Sequence, residues 1–425
     1  MEDLKTYKLE DLGFLGRGKS RHRPRNDPSL FGGKYPFIQT GEVKSAEFYI
    51  NSFEDTYNDK GLEQSKLWDP GTLLITIAAN IAETAILDIK ACFPDSILGF
   101  IPDEDKADVR FIKYYIDTIK LKMQSISRGT TQDNLSLQKL RSIDFIVPPV
   151  SKQRRIAGIL SAFDDLIENN TRRIEILEEM ARRIYREWFV HFRYPGHDDP
   201  STSSGQRLVD SGTDMGEIPE GWEVGTVGEL YQVKSGHPFK SKKLMDEGNY
   251  GVIKIGNITD TGEIEIGDVQ YLEDDVVPDR ARKYLLNPGD ILIAMTGAKV
   301  GKIGIMPKTP NNYYLNQRVG KYFSKVEGVH SHMFLYSYLK TDFAQTMIKH
   351  LAQGAAQPNI SATNLKSLKL VIPTDDIFEN FEKKTQPLRD QMLLLRQKNR
   401  KLKATRDLLL PKLISGKIDV EDVMV

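Results

Sequence analysis

Three blocks of this chain are written twice, in the same order. Lys34–Val43 aligns with Asn249–Ile258, Trp68–Thr76 with Leu286–Ala294, and Arg128–Ser136 with Gln353–Ser361. Each copy then runs into a short apolar stretch ending in proline, Phe145–Pro148 and Leu370–Pro373. The offsets grow from 215 to 218 to 225, so the copies differ by small insertions. Self-similarity at this spacing sets the architecture before any residue-level reading does. Each copy is about 150 residues, the size of a domain rather than of a solenoid repeat. The chain therefore contains two homologous domains, spanning 1–150 and 221–374.

Within each copy, Pro70-Gly71 and Pro288-Gly289 signal turns. Each turn leads into a mixed apolar strand, Thr72–Ala78 and Asp290–Met295. Helical stretches are expected at Ala107–Met123 and Ser331–Leu351, so each domain reads as α+β. A long helical pattern follows each domain, at about 151–190 and 376–412. In the first, apolar residues step by four and three through Ile156, Leu160, Phe163, Ile167, Ile174, Leu177, Ala181, Ile184 and Trp188. Asn170 is the one polar residue on that seam. The second seam reads Leu388, Met392, Leu395, Asn399, Leu402, Arg406 and Leu409. Such steps make a heptad seam, and an asparagine in it fixes register. Two similar domains, each followed by a similar helix, can be related by a rotation of about 180°. Under that pseudo-two-fold the helices pack antiparallel as a coiled-coil-like spacer, with Asn170 near Asn399. At about 35 residues, each helix spans ~50 Å. Segment 151–193 holds the central helix, 194–220 reads as an exposed flexible connector, and 375–425 holds the last helix and a tail.

Composition narrows the function classes. Hydrophobic residues are 40% and charged residues 28%, as in soluble globular proteins. No apolar run reaches the ~18 residues of a membrane span, and the N-terminus has no signal-peptide pattern. A cytoplasmic protein is expected. The single cysteine, Cys92, excludes an intrachain disulfide and a multi-cysteine metal site. Acidic and basic residues balance at 59 each, so any affinity for nucleic acid must come from local basic surface.

Motifs for catalysis lack their context. Gly13–Ser20 matches the phosphate-loop pattern letter for letter, but no apolar strand precedes it and Pro24 opposes a following helix. The only matching acidic run, Ala85–Asp88, is short. An ATP-binding enzyme built on Gly13–Ser20 is the rival reading from another class. Pro148-Pro149 lacks the flanking residues of an amino-methyltransferase motif. His330 and His332 have no further ligand cluster, so no metal site is expected.

Two acid-free basic stretches stand at corresponding places. In the first, Arg17, Lys19, Arg21, Arg23 and Arg25 alternate with other residues, accompanied by His22. If extended, that spacing puts the five cations on one side. The second holds Lys234, Ser235, His237, Lys240, Lys242 and Lys243. Such rows neutralise phosphates, and arginine can also read guanine. Gln132 and Gln357 occupy the same place in the repeated Gly-x-x-Gln-x-Asn segment, and glutamine suits adenine readout. Asn134 and Asn359 there are expected to cap a loop. Arg128 and Gln353, which differ between the copies, suit target-specific contacts.

With these features the chain resembles the specificity subunits of type I restriction-modification systems over nearly its whole length. The resemblance rests on the order of domains and helices and on Tyr35–Gly41, Leu315–Gly320, Gln357–Ser361, Leu410–Gly416, Ile218–Trp222 and Gln153–Ala157. It implies two target-recognition domains, each reading one half of a bipartite double-stranded DNA target, with the helices as a ruler. It implies two methyltransferase subunits that modify adenine and two motor-nuclease restriction subunits as partners. S-adenosylmethionine, ATP and magnesium would then belong to those partners, with no cofactor and no catalysis in this chain. A specificity module of a related or orphan methyltransferase system is the nearer alternative.

Overall fold

The computed structural model describes residues 4–78, 80–127, 137–197, 207–273, 277–325, 332–353 and 357–420. The chain forms two compact units, Met1–Asn169 with Arg400–Val425, and Asn170–Asn399. The boundaries fall inside two 40-residue helices, Val150–Phe189 and Asp375–Ile414. At 1.5 Å per residue each spans ~60 Å, longer than the apolar seams alone suggest.

The duplication holds strand by strand. In the first unit, Gly13–Arg17, Ile97–Pro102, Leu73–Thr76 and Thr84–Leu87 lie side by side in that order, all antiparallel, with Tyr49–Ile50 added at the far edge. In the second, Tyr231–Ser235, Val319–Ser324, Ile291–Ala294 and Ile303–Ile305 repeat the order and the directions. A second sheet in each unit also matches. Phe31–Phe37 pairs antiparallel with Asp55–Tyr57 and parallel with Ala91–Cys92, and Tyr250–Ile253 does the same with Gln270–Leu272 and Asn312–Leu315. The strands after the Pro-Gly turns are fully buried, which is why they read as unbroken apolar runs. Gly71 and Gly289 have φ of +84° and +89°, which only glycine adopts without strain.

A short strand pair closes each domain beneath its long helix, Lys5–Tyr7 with Phe145–Val147 and Glu223–Thr226 with Lys369–Ile372. Tyr115 accepts a hydrogen bond from the Ile146 amide, and Tyr338 donates one to the Lys369 carbonyl, so one tyrosine holds the equivalent strand in each copy. Gln153, fully buried at the start of the central helix, donates to the carbonyls of Lys106 and Pro148 and accepts from the Asp108 amide. That explains why a polar residue opens an apolar helix face.

The helices run antiparallel within each unit. In the first, Lys152 pairs with Asp419 and Asp164 with Arg406. In the second, Asn170 Nδ2 donates to Asn399 Oδ1 at 2.9 Å, Glu178 pairs with Arg396, and Trp188 packs on Phe381. Both asparagines are 8% exposed. Asn399 Nδ2 also donates to Thr171 Oγ1, so losing either asparagine breaks the shared bond and leaves one buried amide group of the other without it, at about 1–3 kcal/mol. Replacing both by leucine removes that penalty. Each single Leu variant is expected to lower the urea midpoint and the double variant to raise it. A double variant less stable than both singles would exclude the pairing.

Ser161 and Asp164, beside the Asn170 seam, are also buried on the same helix, where each has a partner. Three expectations are corrected. The helix expected over 331–351 is broken into Met333–Leu339 and Asp342–Leu351, because Thr341 is extended and its hydroxyl caps the second helix by accepting from the Ala344 amide. The connector is not uniformly loose. Leu208–Asp210 pairs with Glu217–Pro219, and Tyr194 is buried against Trp222. Asn359 does not cap its loop by its side chain, which is exposed and makes no hydrogen bond among the described residues; its backbone bridges to Thr296 instead.

Glu382 caps the broken helix from outside. Its carboxylate accepts from the amides of Met333 and Phe334, and burial pushes its pKa up to about 7. A raised carboxyl pKa favours the folded state at low pH, so this contribution is full below ~4.5 and is lost as pH rises to about 7. Glu382→Gln is expected to flatten that fall in a urea-midpoint series across pH. A variant whose midpoints track wild type throughout would show that Glu382 does not titrate there.

Candidate nucleic-acid interface

In the first unit the interface begins at an edge strand. Gly13–Arg17 pairs on one side only, with Ile97–Pro102, and the chain leaves the sheet after Arg17. The glycines of the phosphate-loop-like motif are there for close packing. A Cβ on Gly13 would lie 2.2 Å from the Ile101 carbonyl oxygen, one on Gly16 2.8 Å from the Trp68 ring, and one on Gly18 2.3 Å from the Pro94 carbonyl oxygen. The amides of Gly18 and Lys19 donate to Ile97 and Phe93 and so are spent within the fold. No helix begins at Ser20. Both departures remove what a phosphate loop needs, and Gly13–Ser20 is a strand and its exit.

The five cations of this stretch do not form one extended row. The chain bends after Ser20, where the amides of Arg21 and His22 both donate to Gln64 Oε1. Arg23 donates to the carbonyls of Ser20 and His22, and both Arg23 and Arg25 pair with Asp95. His22 bonds Asp27 at 2.7 Å. These three side chains therefore brace the loop. Arg17, Lys19 and Arg21 are exposed and form no ion pair among the described residues.

Lys66 joins them. Its ammonium lies 3.6 Å from the Trp68 ring centroid and 5.0 Å from that of Phe14, which is 56% exposed. Burial, and then the charge of Lys19, pull the Lys66 pKa down. Cations held together without an acid are a place for phosphate. Sequence reading missed Lys66 and Phe14 because they lie outside the basic run and are gathered only by strand pairing. Beside this loop a cleft of about 510 Å³ is lined by Arg25, Asn26, Phe31, Gln39, Asp55 and Ser96, among others.

In the second unit the corresponding edge strand, Tyr231–Ser235, leads into the second basic stretch. Lys234 is exposed, Ser235 is half-buried, and Lys240, Lys242 and Lys243 are exposed around one tight turn at Ser241–Lys243. None of these lysines has an ion pair among the described residues. His237 is a correction. It is 8% exposed, lies against Phe239 and Tyr284, and is held neutral-favouring by burial and by Arg280 and Lys283. Exposed Arg280 and Lys283 thus join this surface; the signal for them was the run Arg280–Lys283, which sequence reading passed over.

Gln353 and Gln357 are exposed, and the chain beside Gln357 is tied down where the Gly297 amide donates to the Pro358 carbonyl. Arg128, Gln132 and Asn134 lie outside the described residues, as does His330. Among the described residues no group of three or more His, Cys, Asp or Glu could hold a metal ion, and no helix is long and apolar enough to cross a membrane.

The family model for the type I restriction modification DNA specificity domain matches residues 1–179 and again 219–404. The chain is 25% identical to the type I restriction enzyme MjaIX specificity subunit of Methanocaldococcus jannaschii, over 99% of this chain and 95% of that protein. It is 23% identical to the HindI specificity subunit of Haemophilus influenzae, over 98% of this chain and all of that protein's length, 100%. The crystal structure of a type I restriction-modification system S subunit from M. genitalium superimposes with a TM-score of 0.56 at 18% identity, covering 97% of this chain and 96% of that one. That likeness shows a shared fold, and the two family matches fall on the two copies seen in the strand order. The chain therefore belongs to the type I restriction modification DNA specificity domain family.

Proposed function

We propose that this chain is the DNA-specificity subunit of a type I restriction-modification assembly, each homologous domain reading one half of a bipartite target. The observation that carries the reading is the recurrence of exposed lysines and arginines with no ion pair among the described residues where the edge strand leaves the same sheet in both copies. Phosphate contacts from such surfaces set position, and the groups beside them read bases. On this reading the chain is non-catalytic. Two methyltransferase subunits carry S-adenosylmethionine, two restriction subunits carry ATP and magnesium, and the assembly works in the cytoplasm. Asn170 and Asn399 then keep the helices in the register that sets the gap between half-sites.

The test is a domain exchange. Residues 1–148 are replaced by the equivalent domain of a relative with a different target, and the methylated sequence is read in a host carrying the methyltransferase. One half of the methylated sequence should change while the other stays. Change in both halves, or a single undivided target, would contradict the reading.

A further inference from the structure

In each unit, one carboxylate joins three elements. In the first, Asp164 of the central helix accepts from the Tyr114 hydroxyl on the domain helix Val109–Ser127 and pairs with Arg406 of the C-terminal helix. Tyr114 and Asp164 are 2% and 5% exposed. In the second, Glu178 of the central helix accepts from the Tyr336 hydroxyl on the domain helix Met333–Leu339 at 2.8 Å and from Arg396 of the C-terminal helix at 2.8 Å. Arg396 is 3% exposed and also reaches the Thr261 carbonyl, in a loop of the same domain.

These clusters are not copies of one another. Aligning Phe111 with Phe334 pairs Tyr115 with Tyr338, the tyrosines that hold the closing strands. It sets Tyr114 opposite Ser337 and Tyr336 opposite Lys113. The carriers of charge are exchanged as well. The first domain meets the carboxylate on the helix that follows it and the arginine on the other, whereas the second meets the arginine on its own helix. The same chemistry is thus built twice from positions the duplication does not relate.

We infer that Tyr114, Asp164 and Arg406, and likewise Tyr336, Glu178 and Arg396, are positioning residues that lock each recognition domain's seat on the two long helices and thereby restrict the spacer length accepted in the DNA target. This rests on the specificity-subunit reading. The physical reason is direction. Apolar packing resists separation but tolerates rolling, because its energy follows buried area. A carboxylate holding two donors has fixed angles, and a roll would leave a charged group unsatisfied in a poorly solvating interior: Asp164 in the first cluster, Arg396 in the second, since Glu178 itself is only half-buried. The seat of each domain becomes discrete, and with it the angle at which its basic surface is offered.

The experiment uses the full chain in complex with its methyltransferase, after methylome sequencing has defined the target. Methylation rates are compared on duplexes with the native spacer and with one base pair more or fewer, and on duplexes with one recognition base changed. Tyr336→Phe, Tyr114→Phe and Arg396→Met are expected to lower discrimination between spacers at least about tenfold, while discrimination between bases stays within about threefold. Glu178→Arg with Arg396→Glu, which rebuilds the pair in reverse, should restore spacer discrimination over Arg396→Glu alone. The tyrosine variants keep the ring and lose only a hydroxyl, so they report even if an arginine variant does not fold. Equal loss of rate on every duplex, or unchanged spacer discrimination, overturns the inference. A wild-type chain with no two-part target would instead overturn the reading beneath it.

Discussion

Replacing Arg17, Lys19, Arg21 and Lys66 together by glutamine is expected to weaken DNA binding by up to about a thousandfold at 0.1 M salt. The log–log salt slope should flatten by up to about 3–4, since each phosphate contact contributes roughly 0.9. The four are exposed or held over aromatic rings, and none forms an ion pair among the described residues. Among the described residues, none of them has an ion-pair partner that DNA would have to displace. Arg23 and Arg25 give the contrast. Both already share Asp95, so Arg23→Gln and Arg25→Gln should change the salt slope by less than about one while loosening the loop. If one of the free arginines reads a base, its single variant will relax one target position by about 1–3 kcal/mol instead of weakening all sequences alike. Anisotropy titrations of cognate and scrambled duplexes over a salt series separate these outcomes. A quadruple variant with unchanged affinity and slope would show that this surface does not touch DNA.

Phe381→Ala is expected to destabilise the second unit by about 3–5 kcal/mol, the scale for a fully buried phenylalanine. Phe381 is 0% exposed and lies within 5.0–6.2 Å, centroid to centroid, of Trp188, Phe189, Tyr185 and Phe334. These rings join the end of the central helix, the start of the C-terminal helix and the domain helix of that unit. The cavity would open where three elements meet, leaving little freedom to collapse around it. Leu394, on the same helix but 42% exposed, is the control, and Leu394→Ala should stay within about 0.5 kcal/mol. Hydrogen exchange read unit by unit is the measurement. Faster exchange throughout 170–399 with the first unit unchanged is expected. Equal loss of protection in both units would mean that they unfold as one.

The sequence alone determined what repetition and periodicity can carry. Three blocks of like residues, written twice in like order, require two domains of like topology, because each strand must find the same neighbours in both copies. A four-three apolar step requires a long helix with one buried face, and it set Asn170 and Asn399 near mid-helix, where their side chains now bond. The glycine motif was readable as a decoy from its flanks, since a proline and charged residues oppose the strand and helix a phosphate loop needs. Only the tertiary structure decided which charges are free. Arg25 is committed to Asp95, seventy residues away, and Lys66 reaches the ring of Phe14 through strand pairing no local pattern announces. The same holds for Asp164 and Glu178, which look like ordinary helix acids until arginines 242 and 218 residues further on meet them. A periodic pattern is a property of neighbours along the chain. The partner of a charge is set by the whole fold, because burial fixes which few groups lie within hydrogen-bond distance.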